Sequence, residues 1–216
     1  MSDVIRDVIL PAVNAHFQRC EMRQKLRSLA AWDHSFEKWF QWECVFALDE
    51  VWLRAFRPSL AKEQYEHWDI EVRRGGKRVD LVLPLPGGSD ILLELKVYVP
   101  FFFFKKWVRG TDDCMARDIR WIHRIRNTTA ATIVLALETE RQTLDWHGNG
   151  LRAPLRHGLP RIELGTTWCA GLRESCDVSA RLYCWTNGIR AATAAPAAPL
   201  ARNAAGTGTR RANTPC

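Results

Sequence analysis

Residues 3–30 read as helical, and Pro11 predicts a break or kink within that run. Ser35 is placed to cap a second helix over about 36–56. There Phe36, Trp39, Phe40, Phe46, Ala47, Val51 and Phe56 follow helical spacing. The period then shortens. Residues 68–74 and 77–83 are β-like runs on either side of Gly75-Gly76. A two-residue turn with positive φ at both centres suits that pair, so the runs predict a hairpin. After the Pro84–Ser89 loop, residues 91–99 (ILLELKVYV) predict a third strand. A helix over about 112–126 and a fourth strand over 129–137 follow. The expected order is helix, three-stranded meander, helix, strand, in an α/β domain. RLYCWT at 181–186 predicts one more strand within 151–189, a segment otherwise without a clear pattern. Residues 190–216 have almost no large apolar side chains and predict a disordered tail. The expected organisation is a helical segment at 1–34, a domain at 35–189 and that tail.

Alternation within the strands sets up the candidate chemistry. Val79, Leu81 and Leu83 are expected on one face of the second strand, and Leu93, Leu95 and Val97 on one face of the third. The opposite faces then carry Arg78, Asp80 and Val82, and Leu92, Glu94, Lys96 and Tyr98. A hairpin centred on Gly87 places Asp80 directly across from Glu94. Like charges in that position repel, and a divalent cation is the simplest group to offset them. Oxygen donors suit Mg2+ or Mn2+, which take one or two carboxylates together with water and phosphate. The Lys96 amine would orient an attacking water and stabilise developing negative charge. Glu94-Leu95-Lys96 is the single acid-x-Lys tripeptide in the chain.

Composition narrows the class. The chain has 216 residues, 47% of them hydrophobic and 25% charged, which excludes a wholly disordered chain, a collagen and a coiled-coil rod. The net charge of +7 is uneven: +1 over residues 1–150 and +6 over 151–216. A polyanion-binding argument must therefore rest on local clusters. The densest is 105–126, with seven Lys and Arg against three Asp. Lys105, Lys106, Arg109, Arg117, Arg120 and Arg124 within it are the candidate phosphate contacts, against the plain alternative of a solvated face. Seven irregularly spaced cysteines do not read as a disulfide framework or a zinc site. The apolar stretch 91–104 is too short and too interrupted to span a bilayer. A cytoplasmic protein without a membrane partner is expected.

The pattern V-D80-L-V, followed on the next strand by E94-L-K96, resembles the PD-(D/E)xK nuclease superfamily of restriction-endonuclease-like fold. The αβββαβ order read above is similar to that family's core, over about residues 36–137. The resemblance implies that Asp80 and Glu94 bind the metal and that Lys96 assists the water. It also implies an additional acid from the preceding helix. Glu43 is the expected donor, because it lies on the apolar stripe Phe36, Phe40, Glu43, Ala47, where a carboxylate needs a partner. Val79 stands where the family motif has proline. Asp118 and Trp121 are candidates to line the site, beside the plain reading of an amphipathic helix.

The expected function is metal-dependent phosphodiester hydrolysis, with DNA as the expected partner and RNA open. The alternative is an inactive nucleic-acid-binding or protein-interaction module on the same fold. Phe101–Phe104 are read as buried or as an oligomer contact, such as a homodimer, ahead of a base-stacking surface.

Overall fold

The computed structural model describes residues 3–31, 36–56, 69–74, 76–85, 89–99, 115–144, 150–155, 159–169 and 172–188. The Phe101–Phe104 run, Lys105, Lys106, Arg109 and the 190–216 tail lie outside them.

The N-terminal helical run is split. A π-helical turn, Ile5–Ile9, leads into α1 (Leu10–Phe17), and α2 (Cys20–Ala30) follows. Pro11 lies inside the continuous run of that turn and α1, directly after the π-helical turn, which is where the helix takes up the donor that proline lacks. The irregularity at Pro11 is that π-helical turn, and the run breaks outright further on, at Arg19, which is extended (φ −64°, ψ 147°). The long helix α3 (Glu37–Phe56) comes next. The meander is β1 (Asp69–Arg74), β2 (Lys77–Pro84) and β3 (Asp90–Tyr98). A described helix at 115–122, α4, precedes β4 (Thr129–Thr139). Two further strands, β5 (Ile162–Cys169) and β6 (Glu174–Thr186), complete a six-stranded mixed sheet of order β1-β2-β3-β4-β6-β5. The β3–β4 pair is parallel and the other pairs are antiparallel.

Strand β4 is buried along its whole length, because both sheet faces are covered. Ala131, Ile133, Leu135 and Leu137 point into one core with Leu81, Leu83, Leu93 and Leu95 and with Val13, Phe17, Leu26, Phe40 and Leu48 of α1–α3. On the opposite face, α4 packs Ile122 against Val79, Val82, Leu92 and Ala130. Met115, Ala116 and Ile119 pack on that face beside Val134, Ala136, Tyr183 and Trp185. The protein is thus mixed α/β, a six-stranded sheet between helices.

The β1–β2 turn joins Arg74 to Lys77, and Gly76 has the positive φ (+81°) such a turn requires. The β2–β3 register pairs Leu81 with Leu93 and Pro84 with Asp90, the register considered above, although the described ladder stops short of an Asp80–Glu94 pair. The expected alternation along β2 fails at one place. Val79 and Val82 share the α4-side core, while Leu81 and Leu83 face the other way. The strand therefore changes face at Asp80, just where its described pairing with β3 ends. Cys44, Cys169, Cys176 and Cys184 are free thiols, whereas Cys20 is disulfide-bonded. Among the described residues no helix is long and apolar enough to cross a membrane.

Candidate active site

Asp80, Glu94 and Lys96 converge at the point where β2 leaves β3. The N–H of Leu95 donates to Asp80 Oδ2 at 2.7 Å. A side chain thus takes the place of a strand carbonyl, which fixes the carboxylate beside Glu94. The Asp80 carbonyl in turn accepts from Gln41 Nε2 of α3 at 2.8 Å. Lys38, one turn earlier, donates to Gln41 Oε1 at 3.2 Å and also pairs with Glu71 of β1. Glu71 lies between Ile70, which pairs with Leu81, and Val72, which pairs with Val79, so it faces Asp80 across the sheet. Its φ is +59°, a left-handed conformation that is strained for a glutamate. Arg78 closes the arrangement with an ion pair to Glu71 at 3.1 Å. The chain of contacts Glu71–Lys38–Gln41–Asp80 holds the first turns of α3 against the kink in β2.

Lys96 is the hub. Its Nζ lies 2.9 Å from Glu94 Oε1, 3.1 Å from Glu37 Oε1, 3.5 Å from Asp118 Oδ2 and 3.8 Å from Asp80 Oδ2. Burial works against its charge, but Glu94, Glu37 and Asp80 outweigh burial and raise its pKa above the ordinary lysine value. The ammonium therefore stays protonated at neutral pH. A second lysine, Lys77, contacts Asp118 Oδ1 at 2.5 Å and Glu94 Oε1 at 3.4 Å. Its Nζ lies 4.6 Å from the centroid of the Trp121 ring, a cation–π contact.

Glu94 is 3% exposed. Its Oε1 receives both lysines, while its buried Oε2 has no hydrogen-bond partner among the described residues. Burial pushes the Glu94 carboxyl up to about 7; Lys96 and Lys77 pull against that shift and Asp80 adds to it. Among the described residues, no three or more His, Cys, Asp or Glu side chains are grouped to hold a metal ion. The donors that suit a hard divalent cation are the Asp80 carboxylate and the unpartnered Oε2 of Glu94. That is a two-carboxylate set, which leaves the remaining positions to water and phosphate.

The acid from the preceding helix is not the one expected. Glu43 is buried, as its apolar stripe implied, but it faces α1 and α2. Its carboxylate meets His16 Nε2 at 2.8 Å and Lys25 Nζ at 3.1 Å. Burial would raise its pKa, yet His16 and Lys25 overcome that and hold it below the usual range. The α3 acid that reaches Lys96 is Glu37, six residues before Glu43 and so on a different side of the helix. Sequence reasoning missed Glu37, Gln41 and Lys77. Glu37 and Gln41 are four residues apart, a spacing that puts both on one helix side. Asp118 and Trp121 do line the site, through Lys77 and Lys96. Arg117 and Arg120 are exposed on α4, and Arg124 is exposed in the turn beyond it.

No family model, curated protein or solved structure matches this chain.

Proposed function

We propose that this protein is a metal-dependent nuclease of the PD-(D/E)xK type, built on a restriction-endonuclease-like core, that hydrolyses phosphodiester bonds in DNA. The observation that carries the reading is the meeting of Asp80, Glu94 and Lys96 at the β2 kink, with one buried carboxylate oxygen unpartnered. Asp80 and Glu94 would hold Mg2+ or Mn2+. The bound ion lowers the pKa of water and stabilises charge on the phosphoryl oxygens. Glu37, in place of Glu43, is the helix acid available to the site. Lys96 carries a fixed positive charge, so it orients the water and offsets negative charge at phosphorus rather than removing a proton. Arg117, Arg120 and Arg124, with Lys105, Lys106 and Arg109, supply backbone phosphate contacts that set binding without base readout.

A second reading is a module that binds nucleic acid or protein without cutting. It is favoured by the two lysines, which already compensate the carboxylates. Cleavage of supercoiled plasmid, single-stranded DNA and RNA with Mg2+, Mn2+ or EDTA separates the two. The nuclease cuts only with metal, and Lys96→Ala abolishes cutting while leaving the carboxylates in place. Metal-independent binding with no cleavage of any substrate favours the module.

A further inference from the structure

We propose that the Lys77 ammonium fills a built cation position between Glu94 and Asp118, so that the site takes one divalent ion rather than two. The inference rests on the reading of Asp80 and Glu94 as ligands of that ion. Glu94 and Asp118 are 3% and 6% exposed, and two buried carboxylates brought this close require a positive charge between them. Lys96 supplies part of it, touching both groups, and Lys77 supplies the rest from the start of β2, three residues before Asp80. Its Nζ bridges Asp118 Oδ1 at 2.5 Å and Glu94 Oε1 at 3.4 Å.

The oxygens left over decide the count. Glu94 Oε1 is shared by Lys77 and Lys96, and Asp118 gives one oxygen to each lysine. Of the four Glu94 and Asp118 oxygens, Glu94 Oε2 is the one with no partner among the described residues. One carboxylate oxygen therefore remains for an ion beside Asp80, and the Asp118 side is closed. The face of Trp121, 4.6 Å from Nζ, favours a monovalent organic cation there. An ammonium offsets the carboxylates but activates no water. Chemistry at this site would then use a single metal.

The test is a Mn2+ titration of the full chain without nucleic acid at pH 8, with free Mn2+ read by electron paramagnetic resonance. The parent is expected to bind one Mn2+ per chain and Lys77→Met two. Lys77→Met with Asp118→Asn is expected to return to one. Lys77→Arg, which keeps the charge and guards against a misfolded Met variant, is expected to stay at one. Two ions per parent chain, or one ion in a folded Lys77→Met variant, overturns the proposal. No ion on the parent overturns the metal-ligand reading itself and this inference with it, which is a different result from one ion on both proteins. Melting temperature gives a second readout. Mn2+ should raise that of Lys77→Met more than that of the parent, because a second bound ion adds stability. An equal rise in both counts against the proposal.

Discussion

Glu94 is a carboxyl group whose charge its surroundings disfavour, and that has a measurable consequence. Its ordinary pKa of 4.5 rises to about 7 in the fold, chiefly through burial. Because the folded value is the higher one, the native state binds the proton more tightly than the unfolded state. The contribution of Glu94 to stability is present below its unfolded pKa and is lost as pH rises through about 7. In EDTA, the melting temperature of Glu94→Gln should fall less between pH 5 and pH 8 than that of the parent. An identical decline in both proteins would remove Glu94 as the cause. Glu43 has the opposite sign. Its lowered pKa marks a stabilising pairing with His16 and Lys25. Glu43→Gln should cost about 2 kcal/mol of folding stability, the scale of a lost charge-assisted hydrogen bond. Mn2+ affinity should be unchanged, and a large loss of it would return Glu43 to the site. The apolar stripe around Glu43 made its burial readable in the sequence. The identity of its partner was not readable, because His16 and Lys25 meet it through tertiary packing of α1 and α2.

At the scale of elements, the meander was the most legible part. Gly75-Gly76 and the β2–β3 loop each set a register, and alternation did the rest up to Asp80. The face change there was hidden, because it depends on Asp80 and Gln41 satisfying backbone groups that an ordinary ladder would pair. Lys77 went unnoticed for the same reason: ideal alternation puts it on the face opposite Asp80, away from the site. Strand β5 was missed outright. Its pairing with β6 shifts register between Glu163 and Gly165, so no period of two runs through it. Gly165 has φ +72°, and an added Cβ would lie 3.3 Å from the Arg27 guanidinium. Arg27 of α2 also donates to the Leu164 carbonyl, so this bulge is where α2 meets β5. Gly165→Ala should cost about 1–2 kcal/mol, the order of a left-handed conformation in a residue with a Cβ. In urea unfolding, this is expected as a lower midpoint at unchanged slope. A midpoint equal to the parent's would mean that the bulge relaxes freely.

At the scale of the molecule, the fold places its polar cluster at a defect in an otherwise regular sheet. Hydrophobic contacts cover both faces of β3 and β4, and the carboxylates gather where β2 peels away beneath α3 and α4. Two lysines balance them in part, which is costly to bury and adds little to stability. Such a cluster is better explained by chemistry than by folding. The most direct measurement is cleavage of plasmid and single-stranded DNA by the parent and by Lys96→Ala, with Mg2+, Mn2+ or EDTA. Cutting is expected to need the metal and to fall at least about 100-fold in the variant, the scale of losing one electrostatic stabiliser of a transition state. Equal cutting by both proteins, or cutting in EDTA, would contradict it.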